Sequence, residues 1–277
     1  MTEVVCIGLE AISLYRNRVA INRSEKQMEY VRVTNENLDG EHICCAISNN
    51  RDIQVASKKS WLSERFKDGL VFLKSVERGK CFIEYIPAEN AWYPIEADGY
   101  MHINCFWVSG SFKGHGYSND FLSACISDAK AQGKHGITVI SSPKKMSFLS
   151  DPKYLAYKGF KTADTAEPFF VLYYLPFDNN APIPKFKSVA KQPKTDKRGF
   201  VVYYTHGCPF TAKYVPIIER SAKEKGVEFE SVLLRDKKEA QNAPMAWTDY
   251  AVFYNGEYVT NEILSEKKFA ELAEKLS

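Results

Sequence analysis

Residues 101–116 read MHINCFWVSGSFKGHG, and residues 117–133 continue as YSNDFLSACISDAKAQG. The first eight positions are a β-forming run. Phe121, Leu122, Cys125, Ile126 and Ala129 then recur at the spacing of one helix face, and Gly133 supplies a stop. Between strand and helix lies a loop with glycines at 110, 114 and 116. Glycine lets the backbone turn its N–H groups toward one point, and the positive end of the following helix favours an anion there. The spacing lacks the Lys-Ser/Thr ending of a P-loop and does not make Gly-x-Gly-x-x-Gly, which excludes both of those nucleotide-binding readings. A pyrophosphate suits the geometry that remains.

Working outward, runs rich in β-branched and aromatic residues at 30–33, 69–74, 80–86, 137–141 and 169–175 predict a sheet around the quoted strand. Residues 176–198 hold four prolines, six basic and two acidic residues, the composition of a solvated, semi-extended spacer. Beyond it the pattern predicts a strand (200–204), a helix (211–225), a strand (229–234), a hairpin of 250–254 and 257–260 turning at Asn255-Gly256, and a last helix (266–276). The expected fold class is therefore mixed α/β. Its divisions are an N-terminal extension (1–28), a sheet-centred domain (29–175), a linker (176–198) and a smaller domain (199–277).

Composition narrows the function classes. A length of 277 residues exceeds what one small core organises, and 45% hydrophobic with 26% charged residues is globular. A formal charge of +3 without a long basic run lacks the footprint of nucleic-acid binding. The longest apolar run, 169–175, is far below the ~18 residues of a membrane span, and no basic segment precedes the apolar stretch 4–14 as in a signal peptide. Seven cysteines without a Cys-x-x-Cys pair or zinc-ligand spacing argue against a disulfide framework and a structural metal, so a reducing cytoplasm is expected.

Ser111-Phe112-Lys113-Gly114-His115-Gly116, placed between strand and helix, resembles the acyl-CoA loop of the GNAT superfamily of N-acetyltransferases, Arg/Gln-x-x-Gly-x-Gly/Ala, with Ser111 at the Arg/Gln position. The resemblance covers residues 29–175 and includes Gly159-Phe160, like the segment that precedes the last strands of that fold. It implies a GNAT-like central mixed sheet with helices on its faces, and acetyl-CoA as acyl donor. The pyrophosphate would lie on residues 111–116 and on Tyr117 and Ser118, which open the helix, and the pantetheine would pass along Phe106, Trp107 and Val108. Core packing is the competing role for those two aromatics. Lys113, Lys144 and Lys145 are candidates for the CoA phosphates, with solvated lysines as the alternative. The implied reaction is direct transfer in a ternary complex to the amine of a small molecule, without a metal. Many members carry the acid, a Tyr, four residues before the Gly of Gly-Phe. Leu155 stands there, which leaves Tyr154 and Tyr157 as neighbouring candidates with packing as the competing role. Glu96, just ahead of the quoted strand, is the candidate base, with a solvated turn carboxylate as the alternative.

Gly207-Cys208-Pro209-Phe210-Thr211 sits between a strand and a helix and resembles the Cys-Pro-x-x turn of glutaredoxins and other thioredoxin-fold proteins. Thr211 replaces the second cysteine, which excludes a dithiol cycle within the turn, and Trp247-Thr248-Asp249 stands where that fold carries a cis-proline. A thiol at a helix N-terminus is expected to have a lowered pKa, whereas Cys44, Cys105 and Cys125 are expected to be buried and inert. The pairing of the two domains resembles the YoaP-type acetyltransferases. The alternative function is a thiol-dependent binding or redox module in which Cys208 captures a metal, metalloid or thiol compound and the GNAT-like domain is a scaffold.

Overall fold

The computed structural model describes residues 18–20, 29–43, 45, 47 and 49–276, so most of the expected 1–28 extension, and Cys44, lie outside the described residues. The N-terminal strands are β1 (Arg18–Ala20), β2 (Glu29–Val33), β3 (Val71–Ser75), β4 (Cys81–Pro87), β5 (Ile95–Glu96), β6 (Met101–Val108), β7 (Gly136–Ser141), β8 (Lys161–Ala166) and β9 (Phe170–Pro176). All but β5 join one eight-stranded sheet, ordered β1-β2-β3-β4-β6-β7-β9-β8. Its neighbours run antiparallel except the parallel pair β6–β7. The helices are α1 (Ile53–Phe66), α2 (Tyr117–Ala131) and α3 (Pro152–Tyr157).

Side chains alternate across a strand, and that parity sorts the two faces of the sheet. Cys81, Ile83 and Tyr85 pack with the α2 stripe of Phe121, Leu122, Cys125 and Ala129. Phe82 and Ile86 face the opposite core, with Val55, Trp61 and Leu62 of α1. Glu84 shares their parity. Helix α1 has no counterpart among the elements expected from sequence, because its buried face also carries Gln54, Lys58 and Arg65, which break the apolar stripe.

The second sheet contains β11 (Phe200–Tyr204), β12 (Phe229–Leu233), β13 (Tyr250–Tyr254) and β14 (Glu257–Thr260), ordered β12-β11-β13-β14. Strand β12 runs parallel to β11, and the other neighbours are antiparallel. Phe200 and Val202 pack against α5 (Thr211–Lys225) and α7 (Glu266–Leu276), while Val201 and Tyr203 face the first sheet. One core runs through both sheets, with Trp92 and Tyr93 on one side and Met245, Trp247 and Phe253 on the other. The rings of Tyr93 and Trp247 stack at 5.0 Å. Gln241, at the end of α6 (Lys237–Gln241), donates to the Ala91 carbonyl at 2.8 Å.

The segment 176–198 keeps most of its side chains exposed, as a spacer does, but is anchored at four buried positions, Pro184, Phe186, Ala190 and Pro193. Its β10 (Lys185–Phe186) pairs with β5, Phe186 joins the shared core, and Ala190 of α4 (Ser188–Lys191) is buried. Lys185 and Lys191 point outward to Glu96 and Asp164. The bulk composition reports those lysines and hides the two apolar anchors between them. Phe186→Ala removes a fully buried ring and should lower stability by about 3 kcal/mol, read as a shift in urea midpoint by fluorescence. An unmoved midpoint would return this segment to a solvated spacer.

Candidate active site between the two sheets

Strand β6 pairs with β7 only from Met101 to Ile103. From Asn104 onward its β7-side edge has no ladder partner among the described residues, so the strands part. At the same place β6 bulges against β4: Glu84 faces Cys105 and Tyr85 faces Ile103, which leaves Asn104 unopposed. The extra residue reverses the parity of the rest of the strand. Before it Met101 and Ile103 face α2, and after it Phe106 and Val108 do. Asn104, Cys105 and Trp107 face the second sheet instead.

On the α2 side, the loop makes a short turn at Gly110–Phe112, and Gly114 and Gly116 adopt left-handed φ values of 82° and 80°. Phe112 is buried and anchors the loop in the core, whereas Ser111, Lys113, Gly114 and His115 are exposed. Gly116 caps α2 without a side chain, so the N–H groups of Tyr117 and Ser118 have neither an intrahelical acceptor nor a side-chain cap. Tyr117 stacks on His115. The Tyr154 hydroxyl points at Asn119 Oδ1 (3.4 Å), in the first turn of α2, and its ring meets Phe106 edge-on at 5.7 Å. Burial, reinforced by the nearby Asp120, pushes the Tyr154 phenol above its ordinary pKa, so it stays protonated through the neutral range.

On the other side, a cavity of about 350 Å3 lies between the sheets, walled by Phe82, Trp92, Tyr93, Trp107, Phe148 and Trp247. Charged groups cross it in pairs. Lys58 Nζ donates to Glu84 Oε2 at 2.6 Å and to the Gly207 carbonyl at 2.7 Å, with both charged side chains almost wholly buried. Asn104 Nδ2 donates to Glu84 Oε1 at 3.2 Å. Tyr93 donates to Asp249 Oδ2 at 3.0 Å, and Thr205 to Asp249 Oδ1 at 2.8 Å. Burial alone would lower the Lys58 pKa, but the Glu84 carboxylate beside it prevails and holds it above the ordinary lysine value. Burial raises Asp249, with Thr205, Lys58 and Tyr93 pulling it back in part.

The profile of the YoaP-like family matches residues 229–271. The chain is 42% identical over 251 residues to a Bacillus subtilis (strain 168) protein named uncharacterized N-acetyltransferase YoaP, covering 90% of this chain and all of that one. The chain belongs to the YoaP-like family of N-acetyltransferases. Similar solved structures include the ribosomal-protein-S5-alanine acetyltransferase of Vibrio fischeri, 14% identical, covering 59% of this chain and 100% of that one at a TM-score of 0.40. A GNAT family acetyltransferase of Brucella melitensis, solved in complex with acetyl-CoA, is 13% identical and covers 58% of this chain and 93% of that one at 0.36.

In this YoaP-like chain the sequence-derived residues fall in three places. Phe106, Val108, Ser111–Tyr117 and Tyr154 gather on the α2 side of the parted strands, while Trp107 and Cys208 line the cavity. Glu96 is on neither: its side chain is half exposed on β5 and paired with Lys185 at 3.0 Å. Tyr157 and Lys144 are exposed, and Lys145 pairs with Asp151. Lys58, Glu84, Tyr93, Asn104 and Asp249 were missed. One signal was present for Glu84, a single charge within the otherwise apolar run Cys81–Pro87.

Cys208 differs from expectation in its acidity. Burial, then Asp249 and Cys45, raises its pKa well above an ordinary thiol, outweighing the Phe210 backbone N–H and Lys58. Helix α5 starts only at Thr211 with Phe210 as its cap, so Cys208 sits before the helix and faces the cavity. Thr211 is consumed structurally, donating to the carbonyls of Thr205 (2.7 Å) and Cys208 (2.8 Å). Cys125 is buried with a raised pKa, and Cys105, half-buried at the cavity, is raised likewise. Among the described residues no group of His, Cys, Asp and Glu is arranged to hold a metal ion.

Two outcomes check these assignments. Lys58→Met strands the Glu84 carboxylate and should cost about 3 kcal/mol, whereas Lys58→Met with Glu84→Gln should recover most of it, measured by urea denaturation. Equal losses in the single and double variants would mean that the pair is not what the site rests on. At pH 8, Cys208 should react with iodoacetamide more than about tenfold slower in the native protein than in the urea-unfolded one, as mass spectrometry of the labelled peptide would show.

Proposed function

We propose that this chain transfers an acetyl group from acetyl-CoA to the amine of a small molecule held in the cavity between the sheets. Residues 29–175 act as a GNAT-like domain, and residues 199–277, a thioredoxin-like unit by element order, form the roof. The observation that carries this reading is the bulge at Asn104, where β6 leaves β7 and the loop side of the sheet meets the cavity side. The uncapped start of α2 and the loop glycines offer N–H groups to a pyrophosphate. The open edge of residues 104–108 offers backbone groups to a pantetheine arm and donors to the developing oxyanion.

The proton path is set by the same placement. Glu84, at the cavity wall, takes the proton released when the amine nitrogen bonds to the acetyl carbon. Tyr154, held protonated beside Phe106, donates its own as the carbon–sulfur bond breaks and the CoA thiolate leaves. This reading gives the base role to Glu84 in place of Glu96. The raised pKa of Cys208 favours direct transfer over capture of an acyl group or a metal on sulfur.

Calorimetric titration with acetyl-CoA should give micromolar binding that Gly116→Glu abolishes, since a side chain at φ 80° strains the turn and its carboxylate repels phosphate. Undiminished affinity in that variant would overturn the loop assignment. Tyr154→Phe should lower kcat by at least about a hundredfold with acetyl-CoA affinity unchanged.

A further inference from the structure

The cavity also restricts what the acceptor amine can be, an inference that rests on the transferase reading of the chain. Its charged groups are already engaged within the protein, Lys80 by lying over the Trp107 ring at 5.7 Å and the others by closer partners. Lys58 holds Glu84, Asp249 accepts from Tyr93 and Thr205, and Lys268 at the rim pairs with Glu262 at 3.5 Å. Arg65 forms an ion pair with Asp68 at 2.9 Å and lies over the rings of Trp61 and Trp92, at 5.4 and 4.7 Å. A ligand with several charges would have to bury some of them without partners, at a cost that rises steeply away from water.

One polar atom at the bulge is left over. Asn104 Oδ1 is buried without a hydrogen-bond partner among the described residues. Its orientation is fixed by chemistry, because the other end of the amide contacts Glu84 Oε1, which belongs to a carboxylate whose Oε2 holds Lys58 and which can only accept. The unpartnered atom is therefore an acceptor, and it calls for a donor from the ligand. It lies where β6 parts from β7, next to the proposed path of the thioester. The indole N–H groups of Trp61 and Trp92 are also unpartnered, but both rings line a neighbouring groove on the far side of α1 as well and do not specify this cavity.

The remaining walls are rings: Phe82, Tyr93, Trp107, Phe148 and Trp247. Such a surface holds a flat apolar body, and removal from water there favours the uncharged form of an amine, which is the nucleophilic one. At about 350 Å3 the cavity is at the lower end of small-ligand sites, which span about 300–1,000 Å3. We propose that the acceptor is a primary monoamine carried on one aromatic or flat apolar body, with its N–H on Asn104 Oδ1 and its ring between Trp107, Phe148 and Trp247. Polyamines and amino acids, which bring a second charge, are excluded.

The test uses the full chain with phenylethylamine, spermidine and phenylalanine as probes. Binding is read by quenching of tryptophan fluorescence in the presence of CoA, and turnover by thiol release from acetyl-CoA. Phenylethylamine should exceed both of the others by at least about a hundredfold in kcat/KM. Asn104→Leu should weaken its binding about tenfold, the loss of one hydrogen bond, whereas quenching by ethylbenzene, which has no N–H to donate, should change by less than about twofold. If acetyl-CoA binds but spermidine or phenylalanine is preferred, or phenylethylamine neither quenches nor reacts, the substrate inference fails and the transferase reading stands. If acetyl-CoA does not bind, the transferase reading fails. The quenching series without nucleotide then decides the cavity alone, with no preference for phenylethylamine overturning the inference. Should Asn104→Leu lower Tm, Asn104→Ser, whose hydroxyl can keep a donor toward Glu84 while the amide oxygen is removed, replaces it, and unaltered phenylethylamine binding in that variant also counts against the assignment.

Discussion

The bond on which the rest of the site depends is the contact of Lys58 with Glu84 and the Gly207 carbonyl. Neither charge reaches water, so each is tolerable only while the other is in place. The three elements that supply them, α1, β4 and the turn ahead of α5, belong to both sheets. Separating the sheets would take the Gly207 carbonyl from a buried ammonium and open the wall formed by Tyr93, Trp247 and Asp249. The cavity thus has its shape because a buried ion pair must be kept dry.

The bulge gives that cavity its connection to the rest of the chain. Without the extra residue at Asn104, Cys105 and Trp107 would continue the parity of Met101 and Ile103 and face α2. With it, one strand presents Phe106 and Val108 to the loop side, and Asn104, Cys105 and Trp107 to the cavity side. A single inserted position therefore makes β6 a wall common to the two compartments. The parting from β7 then opens the edge between them.

Features local in sequence could be read from it, and those created by distant residues meeting could not. Strand β6, helix α2 and, apart from the short α6, the elements from Phe200 onward follow period-2 or helical patterns closely enough that their expected bounds agree with the structure within about two residues. Strand β8 reads KTADTA, mostly solvent-facing at the sheet edge, and carries no apolar alternation to detect. Helix α1 was obscured because the face it buries is the face that serves the cavity, so Lys58 and Arg65 occupy positions where an apolar stripe would have been. The glycine loop was visible because it is contiguous. Lys58, Glu84, Asn104 and Asp249 come together only through strand parity and the docking of two sheets. Cys208 shows the limit in another way, since its neighbours in the chain suggested an acidic thiol and its neighbours in space decide the opposite.

The core shared by the sheets bears on how such a chain can change over generations. Val201, Tyr203, Trp247 and Phe253 on one side meet Trp92 and Tyr93 on the other in one packed cluster. Interiors packed to this density register even a methylene, so a substitution on one side of the seam is tolerated only with an answering one across it. The packing thereby ties changes in the smaller unit to changes in the larger. Grafted onto a different acetyltransferase it would arrive with an apolar face cut for this partner alone.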